Sequence, residues 1–231
     1  MFADVQDYWY SSEVKSEYDG YTIVRETKES GVKLDSLNAK IIKNGTAYDG
    51  KVEYVVYEEG SIDYKYEIFL KSGIAYFTKY EGLKTTKNKF ELDFDDLMND
   101  DGSTESFVSD TVGSDSVIKD KTVASILRVI RTQENIVYSV NQIRQTFLEG
   151  SNKKETIKKS TKGDLVKIEL NYKFENEESL NYCDYSIEYQ NDIIISHTID
   201  SKIIVDNDTL ESFFEIKKCS ETISFPDLTQ Y

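Results

Sequence analysis

The reactive side chains of this sequence are one histidine, His197, two cysteines, Cys183 and Cys219, and 43 aspartates and glutamates. A single histidine rules out a His-Glu-x-x-His zinc helix and any iron site that needs two histidines. A serine or cysteine nucleophile would have to use His197 as its base. Nothing near it in sequence resembles an activated nucleophile, so a structural place in a strand is expected. The phosphate-binding loop Gly-x-x-x-x-Gly-Lys-Ser/Thr, the dinucleotide glycine fingerprint and the Gly-x-Ser-x-Gly elbow do not occur. No carboxylate pair stands out for glycoside hydrolysis. The acidic run Asn99-Asp100-Asp101-Gly102 invites a calcium reading. With Gly102 in the sixth place of an EF-hand loop, however, Leu97 comes first and Val108 last, and neither can ligate the ion. The two cysteines read as small buried hydrophobes, or as a disulfide if the chain is exported. The expectation is a non-enzymatic protein with no catalytic residue, metal site or cofactor.

What the chain does carry is alternation. Side chains along a strand point to opposite faces in turn, so a period of two marks a sheet with one dry face. Tyr64, Tyr66, Ile68 and Leu70 alternate mainly with charged residues, Val52, Tyr54 and Val56 do so before them, and Ile74, Tyr76, Thr78 and Tyr80 are read the same way after them. Phe90, Leu92 and Phe94 close this first meander. Glu59-Gly60-Ser61 and Ser72-Gly73 read as hairpin turns. Upstream, Tyr21–Arg25 and Leu37-Ala39-Ile41 read as the first two strands, after a short amphipathic helix carrying Phe2, Val5, Tyr8 and Trp9. From Asp164 onward the pattern resumes through Val166 to Phe174, Cys183 to Tyr189, Ile193 to Val205 and Phe213 to Ile216.

Between the two strand-rich halves the composition changes. Residues 95–121 are dominated by Asp, Ser, Gly and Thr and read as a flexible acidic loop or flap within a single domain, 1–231. Val123, Ile126, Leu127 and Ile130 fall at helical spacing, and the stripe through Ile136, Val140, Ile143 and Phe147 is better served by a helix than by a strand. Such helices would cover the dry face of the sheet, and the fold class expected is therefore α+β.

A formal charge of −15 disfavours contact with phosphate backbones and suits a soluble monomer, so nucleic acid is not an expected partner. No apolar run approaches the roughly 20 residues that span a bilayer. Aromatic residues, 17 Tyr and 11 Phe, crowd the same strand faces. Covered only by helices and a flap, a sheet of this kind encloses an apolar hollow suited to a lipid-like ligand. The residues expected to line it are Tyr54, Val56, Tyr64, Tyr66, Ile68, Tyr76, Ile126, Ile130, Ile168, Leu170 and Tyr172.

This order of elements, an opening helix, strands from Tyr21 to Phe94, helices around Val123 to Ile130, and strands from Val166 to Ile216, resembles the LolA/LppX-like bacterial lipoproteins. The resemblance implies a strongly curved antiparallel half-barrel with helices over its concave apolar face. It also implies an extracytoplasmic, envelope-anchored carrier, held at the membrane surface by an N-terminal lipid-bearing cysteine. Neither that cysteine nor an export signal occurs in the sequence, so the localisation holds if a signal precedes Met1 and is otherwise cytoplasmic. The alternative reading is a cell-surface interaction or adhesion module with a solid core.

Overall fold

The computed structural model describes residues 20–44, 47–91, 123, 126, 127, 145–176, 178–191 and 193–231. Eleven strands account for most of them: β1 (Gly20–Glu29), β2 (Val32–Asn44), β3 (Ala47–Glu58), β4 (Ser61–Lys71), β5 (Ile74–Glu81), β6 (Lys84–Glu91), β7 (Ser151–Lys162), β8 (Leu165–Glu175), β9 (Ser179–Gln190), β10 (Ile193–Val205) and β11 (Asp208–Lys218). They form one antiparallel sheet in the order β6-β5-β4-β3-β2-β1-β11-β10-β9-β8-β7. Each half is a simple meander, and the first strand of one pairs with the last strand of the other, Ile23 opposite Ile216. The sheet is open, with β6 and β7 as its edges.

Local chemistry sets the hairpins. The two-residue loops Ser30-Gly31, Glu59-Gly60 and Ser72-Gly73 hold both central residues at positive φ, between 46° and 83°. That is the type I′ turn, whose twist matches the flanking strands. Glycine takes its place freely, whereas Ser30, Glu59 and Ser72 sit in the left-handed region at some cost.

Packing then follows from register. Reading across the sheet, Lys159, Ile168, Ile187, His197, Ile216, Ile23, Ala39, Val52, Ile68, Phe77 and Asn88 stand opposite one another in turn on one face. Every residue between the two polar ends is buried. Each large aliphatic side chain here contributes roughly 1.5–3 kcal/mol of transfer free energy. Toward one end of the strands, the parallel row Tyr21, Ile41, Gly50, Leu70, Ala75 and Phe90 continues the apolar surface. Gly50 belongs there for lack of room, since a Cβ would lie 2.8 Å from Ile41 Cδ1 and 2.9 Å from Leu70 Cδ1. Val123, Ile126, Leu127 and Phe147 are buried in the same cluster, and Phe147 packs on Tyr172 at 4.7 Å and Phe174 at 5.8 Å between ring centroids.

The α+β expectation, a curved half-barrel with helices over its concave apolar face, is overturned: the fold is all-β, a single open antiparallel sheet. Among the described residues, helix is confined to Val123, Ile126, Leu127, residues 145–149 and the 3-10 turn Leu228–Gln230. Part of the reason is β7, Ser-Asn-Lys-Lys-Glu-Thr-Ile-Lys-Lys-Ser-Thr-Lys. It is an edge strand exposed along almost its whole length, so burial imposes no alternation for a sequence reading to find. In β5 the register is opposite to that expected: Ala75 and Phe77 face the core, while Ile74, Tyr76, Thr78 and Tyr80 take the other face. The opening helix, the flap at 95–121, Leu92 and Phe94 lie outside the described residues.

Replacing Glu59 by Asn, which tolerates the left-handed region better, is expected to raise stability in urea denaturation by about 0.5 kcal/mol. Replacing Gly60 by Ala should lower it by about 1 kcal/mol. Equal midpoints for the two variants would contradict the turn assignment.

Candidate functional site

The apolar face is the candidate site, and its polarity changes along the strands. One row beyond the buried one stand Ile157, Leu170, Tyr185, Ile199, Phe214, Arg25, Leu37, Tyr54, Tyr66, Lys79 and Thr86. The next row carries Tyr172, Cys183, Ser201, Ser212, Thr27, Asp35, Val56, Tyr64 and Glu81. The face is therefore aliphatic in the middle and becomes tyrosine-rich, then charged, toward one end.

Of the residues expected to line a hollow, the sheet brings Tyr54, Val56, Tyr64, Tyr66, Ile68, Ile168, Leu170 and Tyr172 onto this one face. Ile126 is buried in the same cluster. Tyr76 is on the opposite face, edge-on to Tyr231 at 5.8 Å. Ile130 lies outside the described residues.

Sequence reasoning passed over the cations of this face. Arg25 Nη2 donates to Asp35 Oδ1 at 3.0 Å, and the guanidinium lies 5.8 Å from the centroid of Tyr54. Lys79 Nζ lies 5.4 Å from the Tyr64 ring and 5.8 Å from the Tyr66 ring, and pairs with Glu81 at 3.3 Å. The signal for Arg25 was present: it holds the third inward position of β1, after Tyr21 and Ile23. Lys79 was hidden by the misread register of β5.

His197 is fully buried, edge-on to Tyr185 with centroids 4.7 Å apart. Burial pushes its pKa down to about 3, so the imidazole stays neutral and is poorly placed to take a proton from a nucleophile. Cys183 and Cys219 are both free. Burial pushes the Cys183 thiol up to about 12, with Asp184 and Asp200 adding to the shift. Among the described residues no three His, Cys, Asp or Glu side chains come together as a metal site.

The opposite face is charged, and it places several like charges directly across from one another. Glu53 and Glu67 are bridged by Lys65 at 2.6 and 2.9 Å. Lys28 and Lys33 share Glu26, whose carboxyl is held below its usual range by hydrogen bonds from Lys28 and Lys33. Lys40, opposite Lys51, is met by Glu221 at 2.7 Å. That glutamate belongs to a C-terminal strap, residues 219–231, which crosses this face. Phe225 packs on Phe69 at 6.4 Å, and the Tyr231 and Thr78 hydroxyls are 2.8 Å apart.

No family model matches the chain, and no curated protein matches it. Among the described residues no helix is long and apolar enough to cross a membrane.

His197 makes stability pH-dependent. Its folded pKa lies below the unfolded value of about 6.5, so between roughly pH 6.5 and 3 the unfolded chain binds the extra proton and stability rises with pH. Replacing His197 by Phe should flatten the slope of unfolding free energy between pH 6 and 4 by up to about 1.4 kcal/mol per pH unit. Identical slopes for the two proteins would show that the imidazole is not held neutral.

Proposed function

We propose that the protein is a non-enzymatic binding protein that holds an apolar, lipid-like ligand against the aliphatic and tyrosine-lined face of its sheet. The observation that carries this reading is the shared orientation of Tyr54, Tyr64, Tyr66, Ile68, Ile168, Leu170 and Tyr172, drawn from both meanders onto one surface. Tyrosine suits the role because its ring packs on hydrocarbon while its hydroxyl reaches a polar margin. In keeping with the resemblance of the sequence to LolA/LppX-like lipoproteins, the carrier is read as extracytoplasmic, anchored to a membrane surface and monomeric. Val123, Ile126, Leu127 and Phe147 are buried in the same core cluster as this face.

A second reading, a surface module for protein contact with a solid core, draws on Val32, Ile203, Val205 and Leu210. These are exposed and gathered by register at one end of β1, β2, β10 and β11. Contiguous exposed apolar side chains of this kind mark contact sites.

Native mass spectrometry after gentle purification, paired with displacement of a fluorescent fatty acid, tests the carrier reading. Bound apolar mass and saturable displacement are expected. A protein that carries no adduct and displaces no probe would favour the contact module.

A further inference from the structure

We infer that the end of the sheet formed by the β1–β2, β3–β4, β5–β6 and β10–β11 turns is a docking surface for a basic amphipathic helix of a partner protein. This inference rests on the contact reading of Val32, Ile203, Val205 and Leu210 above, extends it along the sheet and names the partner's chemistry. It does not depend on a ligand at the apolar face.

The antiparallel order sends the Ser30-Gly31, Glu59-Gly60, Gly82-Leu83 and Asp206-Asn207 turns to one end of the sheet, and Ser72-Gly73 and Gly163-Asp164 to the other. Among the described residues, every exposed large apolar side chain belongs to the first end. Val32 opens β2, Ile62 is near the start of β4, and Leu83 lies in the β5–β6 turn, close to Tyr80 in sequence. Ile203 and Val205 finish β10, Leu210 is near the start of β11, and Leu148 stands just ahead of β7. At the other end Ile74 and Leu165 are partly covered. Single exposed apolar residues scattered over a surface are ordinary, but segregation to one end is not scattering. Register also brings three of them into one row: Ile203 faces Leu210, Leu210 faces Glu29, and Glu29 faces Val32.

The same end is acidic. Glu29, Glu58, Glu59, Asp63, Asp206 and Asp208 lie in or beside its turns, and among the described residues none of them forms an ion pair. Asp208 accepts only a 3.4 Å hydrogen bond from the Ser30 hydroxyl. The nearby lysines are engaged elsewhere: Lys28 and Lys33 on Glu26, Lys202 on Glu211, and Lys79 on Glu81. On a chain of formal charge −15, such an end repels anionic membranes, nucleic acid and a second copy that presents the same end. A surface with lysine or arginine set between aliphatic anchors complements it.

A helix fits this end better than a strand does. The Ser30-Gly31 and Glu59-Gly60 turns are closed type I′ turns and offer no open ladder for strand addition. The partner must therefore satisfy its own backbone, as a helix does. Successive hairpins lie two strands, about 9.5 Å, apart, close to the roughly 10.5 Å rise of seven helical residues. One aliphatic residue per two turns of helix would meet successive tips, with basic residues between them.

Three model peptides of about 20 residues, titrated against the full chain by fluorescence anisotropy at about 0.15 M salt, test the inference. They are an amphipathic leucine–lysine helix, its leucine–glutamate counterpart, and a lysine peptide with serine in place of every leucine. Phosphatidylcholine vesicles form a fourth arm. The leucine–lysine helix is expected to bind saturably and at least about tenfold more tightly than either other peptide. Val32→Ser combined with Leu210→Ser should weaken that binding about tenfold or more while leaving the urea midpoint unchanged, since both side chains are exposed. Equal binding of the serine peptide, or no effect of the double variant, would reduce the contact to bulk attraction by an acidic protein and overturn the inference. Preference for the leucine–glutamate peptide would overturn the basic partner and leave the contact reading standing. Vesicle binding that the double variant loses, without peptide binding, would assign the same surface to a membrane and overturn the protein partner. Absence of binding in every arm would remove both the inference and the contact reading.

Discussion

The pairing of β1 with β11 is the interaction on which the rest of the structure depends. It joins the first strand of one meander to the last strand of the other, with Ile23 and Ile216 opposed and both fully buried. Without it, two meanders of six and five strands would each expose an inner edge and half of a dry face. With it, one row of buried side chains runs from β8 to β5 across both meanders, interrupted by a single polar residue, His197, which is held neutral there. The strands that start and finish the sheet lie at its centre, and the polar strands β6 and β7 are left as its edges. Lysine-rich edges are a recurrent defence against strand addition, and both edges here carry them.

The two faces solve opposite problems. One must be dry, and its composition grades from aliphatic through tyrosine to charge along the strands. The other is wet, and there like charges stand opposite each other across strands, an arrangement that is destabilising by itself. Third residues resolve it: Lys65 between Glu53 and Glu67, Glu26 between Lys28 and Lys33, and Glu221 beside Lys40. The last of these comes from the C-terminal strap, which thereby contributes charge compensation as well as the aromatic contacts of Phe225 and Tyr231. Among the described residues, two opposed pairs have no such bridge, Lys154 with Lys173 and Asp200 with Asp184. Asp200, across from Asp184, has its carboxyl raised by burial and then by Asp184 and Glu211.

Much of the sheet was legible from period-two alternation wherever burial enforces it. Val52-Tyr54-Val56, Tyr64-Tyr66-Ile68-Leu70 and Val166 to Phe174 face the core as their spacing requires. Legibility failed where burial does not choose a face. In β5 both parities are apolar, because Tyr76 and Thr78 are covered by the strap residue Tyr231, and the sequence pattern cannot tell the two faces apart. β7 has little to bury and hence no period. The strap itself is invisible to periodicity, since its contacts depend on where a distant sheet happens to lie. Of the candidate site, the aromatic floor could be read from spacing, but its cations could not be read as a unit, because Arg25 and Lys79 meet the tyrosines only through four strand registers.

Native-state hydrogen exchange at the amides of β1 and β11 tests the central claim most directly. A single sheet held together at its middle predicts that amides along the Ile23–Ile216 pairing exchange only through global unfolding, with the same free energy as the slowest amides of β4 and β8. Faster, sub-global exchange confined to β1 and β11, with the two meanders retaining separate stabilities, would contradict it.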